Sequence, residues 1–189
     1  MSKHFWTALR MTAISVVIFG FCYPIAIWGI GRAAFSWQSS GSYVRVGDRI
    51  VGSAIVGQLW RGARYFHGRP SAAGKEGYDP TATGGSNLGP DSKILLAREV
   101  RSIARLQRSN PTVGTPPVDL VTDSGSGIDP DISPADARYQ APRVAAARKL
   151  ALDRVLALIS KETHGRTLGI LGEPRINVLA LNLALDRLR

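Results

Sequence analysis

The sequence is poor in the residues that most often carry chemistry. It has one cysteine, three histidines and 14 acidic residues in 189 positions. With Cys22 alone, no disulfide can close within the chain, so whatever folds must be held by packing. His4, His67 and His164 are scattered, with no carboxylate or cysteine at metal-ligand spacing, and each reads as a surface or packing residue. Asp123, Asp129 and Asp131 come nearest to a cation set, but they miss the EF-hand spacing and its closing glutamate. Asp129-Pro130 reads as a turn instead. There is no GxxxxGK[ST] loop, no G-x-S-x-G elbow and no triad or acid/base pair at readable spacing. Chemistry by this chain alone is therefore not expected. No internal repeat or heptad array is visible either.

The most informative absence is one of charge. From Met11 to Gly31 there is no Asp, Glu, Lys, Arg or His, while Arg10 and Arg32 bracket the run. At 1.5 Å per residue the run is roughly 31 Å long, the thickness of a bilayer core. A cleaved signal peptide would have a shorter apolar core and a small-x-small site after it. Here only Gly31-Arg32-Ala33 follows, so a retained anchor is the better reading. Phe5 and Trp6 at one end, and Trp28, Phe35 and Trp37 at the other, suit the two headgroup zones. Lys3, Arg10 and the amino terminus form a short basic flank, which argues for an N-terminus inside and the rest outside. Pro24 removes a backbone hydrogen bond within the span and predicts a kink. GxxxG is absent, so no helix-pairing motif is present. The expected organisation is a cytoplasmic flank 1–10, a transmembrane helix 11–31 and a soluble extracytoplasmic domain 32–189.

The formal charge of +10 raises the question of nucleic acid, with arginine outnumbering lysine 19 to 5. Arg98, Arg101, Arg105 and Arg108 recur at helical spacing, but no aromatic residues interleave with them. The stripe reads as the solvated face of an amphipathic helix, and a nucleic-acid partner is not expected.

Past the anchor, Ser36 to Gly41 reads as a linker. Tyr43–Val46 alternates as a strand and Ile50-Val51 adds a second after a turn at Gly47-Asp48. Ser53 is expected to cap a short helix through Trp60. From Gly62 to Pro90 glycine and proline recur without period, which predicts a long loop of the kind that is often functional. Ser92 opens a helix with Leu96, Val100 and Ile103 on its packing face. Residues 110–117 read as a loop and Val118–Thr122 as a short buried strand. Ser133-Pro134 is a strong helix start, with a break or kink expected at Pro142, before Arg143 to Lys149. Leu152, Val155, Leu156 and Ile159 give the next helix its apolar face, and a turn or short strand falls within Gly165–Gly172. Ile176–Leu188 is helical, though Asn177-Val178-Leu179 would equally suit a sheet edge. The fold class is thus a single N-terminal transmembrane helix plus a mixed α/β (α+β) domain.

Ser124-Gly125-Ser126-Gly127, between strand-like and helical segments, has the look of a phosphate cradle. Spacing alone favours a tight structural loop. Five strings, however, are specific. Tyr65-Phe-His-Gly-Arg-Pro-Ser71, Gly84-Gly-Ser-Asn-Leu88, the run Asp119 to Pro134, Gln140-Ala-Pro-Arg-Val-Ala-Ala-Ala-Arg148, and Gly172-Glu-Pro-Arg-Ile-Asn177 with Leu181-Asn-Leu-Ala-Leu-Asp186 occur in order behind the single span. Together they resemble the C subunit of the Kdp-type potassium-transporting ATPase over nearly the whole chain, with residues 98–117 departing most.

The resemblance implies an accessory, non-catalytic subunit in a bacterial inner-membrane potassium uptake complex. Its partners would be a channel-like potassium-translocating subunit, a P-type ATPase subunit, a small peptide subunit and the lipid bilayer. The Asp-Lys-Thr-Gly phosphorylation motif of the ATPase subunit is absent here. The family is described as a catalytic chaperone that raises the ATPase subunit's affinity for ATP. That would carry nucleotide contact onto Gln140 and onto Ser124, Gly125, Ser126 and Gly127, with ATP bound only at the level of the complex. The charge-based orientation opposes direct contact, because it puts the domain where ATP is scarce. A cover over the outer entrance of the channel-like subunit fits both, with subunit contacts expected at Pro24 and at Gly84, Gly85, Ser86 and Asn87. An envelope-anchored scaffold for another partner is the alternative.

Overall fold

A computed structural model describes residues 2–111 and 113–188. Met1, Thr112 in the expected 110–117 loop, and Arg189 lie outside the described residues. The chain divides into two compact units, Met1–Ile50 and Val51–Arg189.

The first unit is dominated by one helical rod. α1 (Ser2–Val17) passes through a π-helical turn, Ile18–Cys22, into α2 (Tyr23–Ala34). The stretch Lys3–Ala34 is long and apolar enough to cross a membrane, and none of its apolar window is buried within the chain. The influence of Pro24 takes the form of that π-turn. Proline has no N–H to donate, and its ring crowds the carbonyl four residues back, at Gly20. The ladder widens just before it, where the Tyr23 N–H donates to the Ile18 carbonyl five residues back. The expected linker after the rod includes a single helical turn, α3 (Ser36–Ser39). It is fastened by Arg32 donating to Ser40 Oγ at 3.1 Å and Trp37 Nε1 donating to the Tyr43 carbonyl at 3.0 Å. β1 (Tyr43–Val46) and β2 (Arg49–Ser53) form the expected hairpin, turning at Gly47, which takes φ +58°.

In the second unit the helix expected from Ser53 to Trp60 is absent. Ser53 bridges Val56 instead, and the Gly57 N–H donates across the fold to the Ile128 carbonyl at 2.8 Å. Glycine at the centre of the segment weakens a helix, and a distant backbone partner wins. The 62–90 segment has no helix or strand, as expected. α4 (Lys93–Ser109) starts at its Ser92 cap, whose Oγ accepts from the Leu95 N–H. Its packing face, however, is not the one expected. Leu96 and Val100 are exposed together with Ile94, Ile103 is half-buried, and Leu95, Arg98, Ser102 and Leu106 turn inward. Val118–Leu120 is a 3₁₀ turn rather than a buried strand, with Leu120 buried and Val118 exposed. Pro116 and Pro117, which cannot donate to a ladder, lead into it.

The core is built by the C-terminal half. α5 (Pro134–Arg148) is capped by Ser133, whose Oγ accepts from the Asp136 N–H at 3.1 Å. It runs through Pro142 as one helix, so of the expected break or kink the break does not occur. The carbonyl that loses its partner belongs to exposed Arg138, where solvent can serve it. Buried Ala137, Ala141, Val144 and Ala145 meanwhile hold the helix to the core. α6 (Leu152–Glu162) buries Val155, Leu158 and Ile159. β3 (Asp131–Ile132) pairs antiparallel with β4 (Ile176–Asn177), Ile132 opposite Ile176. α7 (Val178–Arg187) follows at once, capped by Asn177. The 176–188 segment is thus mostly helical, as expected; of Asn177-Val178-Leu179 only Asn177 joins the sheet edge, and Val178 and Leu179 belong to α7. Phe66, from the long loop, is fully buried among these helices.

Candidate functional site

The long loop has no ladder of its own, so its backbone groups must find partners elsewhere. Two side-chain amides supply them for consecutive residues. Asn182 on α7 accepts from the Phe66 N–H at 2.9 Å and donates to the Phe66 carbonyl at 3.0 Å. Gln140 on α5 does the same for His67, at 2.8 and 3.0 Å. A carboxamide carries one acceptor and one donor edge, as a peptide group does, so each amide stands in for a neighbouring strand. Arg143, one turn beyond Gln140, donates to the Ala63 and Tyr65 carbonyls at 2.7 and 3.0 Å and to Gln140 Oε1 at 2.9 Å. Arg148 donates to the Arg64 carbonyl at 2.7 Å, pairs with Asp186 at 2.7 Å and lies 4.8 Å over the Tyr65 ring.

A second junction joins the two glycine-rich loops. The Gly84 N–H donates to the Ser126 carbonyl at 2.9 Å, and Ser124 Oγ accepts from the Gly127 N–H at 2.9 Å. Gly127 has φ +72°, and a Cβ there would meet Ala73 Cβ and the Gly84 oxygen at 2.7 Å. Only glycine fits. Ser71 Oγ donates to the Gly127 carbonyl and accepts from the Ala73 and Tyr78 N–H groups. The structure therefore brings Gly84–Asn87 and Ser124–Gly127 together. Gln140 is nearly fully buried, its amide engaged by His67, and it faces a different feature.

That feature is a cavity of about 710 Å³ between α4, the 59–78 segment and α5. Its wall carries Arg61, Arg69, Arg98, Arg105, Arg143 and His67, against Glu76 and Asp123. Both acids are already paired, Glu76 with Arg61 at 2.8 Å and Asp123 with Arg98 at 2.7 Å. His67 is pushed below the usual imidazole range by burial first and by Arg143 second, with Arg105 adding to it and the Gly62 carbonyl opposing. Its Nε2 lies 2.8 Å from that carbonyl and, as the partner can only accept, carries the ring proton. Tyr78, whose hydroxyl donates to the Arg69 carbonyl at 2.6 Å, is pushed up to about 12 by burial and then by Asp129. Asp136 on α5 is fully buried, and its carboxyl is pushed up to about 7 by burial first and the Asp119 carboxylate second.

Asp123, Asp129 and Asp131 each face an arginine, Asp129 with Arg69 at 3.5 Å and Asp131 with Arg175 at 3.2 Å. Among the described residues no group of three or more His, Cys, Asp or Glu is placed to hold a metal. The arginine stripe is only half a solvated face. Arg101 and Arg108 bond their own helix carbonyls at the surface, whereas Arg98 and Arg105 line the cavity. Sequence reasoning missed Arg143, Asn182 and Arg105. The i, i+3 spacing of Gln140 and Arg143 was the one available signal that both face the same loop.

Comparison with known proteins agrees over the full length. Residues 5–187 match the family model described as K+-transporting ATPase, c chain. A Myxococcus xanthus protein named potassium-transporting ATPase KdpC subunit is 51% identical over 189 residues, covering 99% of this chain and 89% of the relative. Proteins of the same name from Caulobacter vibrioides and Gemmatimonas aurantiaca are each 50% identical, covering 98% and 100% of this chain and 94% of each relative.

Proposed function

The chain belongs to the KdpC family, the c chain of K+-transporting ATPases, and is thereby a subunit of a potassium uptake complex. From that premise we propose that it acts there as a non-catalytic accessory subunit, tethered by its N-terminal helix. The domain beyond the tether lies outside the cytoplasmic membrane and covers the outer entrance of the channel-like subunit. The basic flank of Lys3 and Arg10 supports this orientation.

The observation that carries the reading is apolar surface that this chain leaves without a partner. Ile94, Leu96 and Val100 are exposed on α4, and Leu168, Ile170 and Leu171 are exposed on a turn closed by the Thr167–Leu171 bridge. Leu96 and Val100 lie one turn apart on the same side of α4, and exposed apolar groups of this kind mark interaction sites. Pro24 in the span and the Gly84–Asn87 tip, where Asn87 takes φ +52°, are further contacts on this reading. Gln140 acts as a positioning residue that pins His67. Direct contact of Gln140 and the Ser124–Gly127 loop with ATP is the competing role. It requires the amide to leave His67 and the domain to face the cytoplasm.

Gentle detergent purification tests the assembly. The channel-like and ATPase subunits are expected to co-purify with the wild-type chain, and Leu168→Asp with Ile170→Asp is expected to weaken their retention. Absence of both subunits from the wild-type preparation overturns the reading. A Gln140→Ala change that removes an ATP-dependent response while His67 stays packed would favour the nucleotide role.

A further inference from the structure

The cavity beside α4 has more cationic donors than the chain itself can use. Arg105 has no carboxylate partner among the described residues, whereas the Arg143 donors are already taken by the Ala63 and Tyr65 carbonyls and Gln140. Asn110, almost fully buried in the same wall, leaves both its Nδ2 and its Oδ1 unpartnered. Arg98 meets Asp123 through Nη1, while its Nε and Nη2 are buried with no acceptor. Those two nitrogens form the side-on edge of a guanidinium, whose parallel N–H groups match the two oxygens of one carboxylate. Burying such donors unsatisfied is costly, so their clustering at one cavity calls for a ligand rich in acceptors.

We propose that this cavity is a carboxylate-binding site. Arg98 and Arg105 supply the charge, and Asn110 an amide donor. Leu59, Trp60 and Leu106 make an apolar wall for the carbon stem of the ligand. Its volume exceeds what a single inorganic ion needs and suits an acidic side chain or a small organic acid. His67 owes its lowered proton affinity first to burial, and the further lowering by Arg143 and Arg105 is what positive charge at this cavity produces. Which of the two sources supplies the carboxylate depends on the assembly proposed above; the site itself does not.

The test is calorimetric titration of the full-length chain in neutral detergent with glutarate, against chloride at equal ionic strength. Saturable binding is expected with glutarate only. Arg105→Glu, at an exposed position with no ion pair to lose, is expected to weaken it by about tenfold or more. Arg101→Glu, on the same helix but off the cavity, is expected to leave it unchanged. No saturable binding to the wild type, or equal binding by the wild type and Arg105→Glu, overturns the site. Repeating the titration on the assembled complex separates the sources. Loss of glutarate binding there assigns the site to an acidic side chain of a neighbouring subunit, and retention assigns it to a free organic acid. Failure of the chain to co-purify would end the assembly reading while leaving glutarate binding intact.

Discussion

The rod from Lys3 to Ala34 and the helices α5 to α7 draw on the same apolar residue types, and they use them in opposite ways. In α5–α7 the apolar side chains close on one another, and Val144, Val155, Ile159, Leu181 and Leu185 are wholly hidden. In the rod nothing is hidden: Phe19, Phe21, Ile25 and Trp28 all stand exposed. Apolar surface that a chain does not bury within itself has to be met by another solvent or another protein. One region therefore makes the fold, and the other makes an attachment. α4 does some of each, with Arg98 and Arg105 lining the cavity and Leu96 and Val100 exposed.

Substitutions can break that contrast. Leu181→Ala should cost the second unit about 4 kcal/mol in denaturant unfolding, since it leaves a cavity in the core. Phe21→Ala should cost that unit nothing, and an equal loss from both would erase the distinction. Asn182→Ala should cost about 3 kcal/mol, because it orphans the buried N–H and carbonyl of Phe66 together. Phe21→Arg should penalise membrane insertion by roughly 3–4 kcal/mol, read in a glycosylation-type insertion assay, with the melting of the second unit unchanged.

A pH measurement sharpens the account of the core. The Asp136 carboxyl is raised from 3.8 to about 7, so the folded state holds its proton more tightly than the unfolded chain does. Its stabilising contribution is complete below the ordinary carboxylate range and is lost as pH rises through about 7. His67, lowered from 6.5, acts the other way and costs stability only as pH falls below 6.5. Most of that loss falls between the ordinary carboxylate range and about pH 7; above pH 6.5, where His67 no longer contributes, only its last part remains before the profile flattens past about 7. Asp136→Asn should flatten that slope, which thermal melting at several pH values would detect. The smallest effect is expected at Val100→Asp on the outer face of α4. The second unit should keep its stability to within about 0.5 kcal/mol while retention in the complex falls.

Local signals carried the elements that depend on local chemistry. The hairpin at Gly47 and the Ser92 and Ser133 caps were legible, because turn and cap residues act on their neighbours in sequence; of the expected α6 face Val155 and Ile159 are buried, but Leu152 is exposed and Leu158 is buried in addition. The errors came where distant partners decide. Gly57 goes to Ile128, and Pro142 is carried by a helix whose alanines are locked in the core. The face of α4 is set by a cavity that sequence periodicity cannot see. The site was partly legible in another sense. Tyr65–Ser71, Gln140–Arg148 and Leu181–Asp186 were recognised as specific strings, and the structure shows them stitched together across up to 116 residues of sequence. Their pairing, an amide for each peptide group, left no mark in spacing.

The central claim is that the 21 uncharged positions, with Lys3 and Arg10 before them, put the folded domain outside the membrane. The direct measurement is a pair of reporters fused after Arg189, one active only in the cytoplasm and one active only outside it. Activity of the outer reporter alone is the predicted result. Activity of the cytoplasmic reporter alone would contradict the account, move the domain to the ATP side of the membrane and favour nucleotide contact by Gln140.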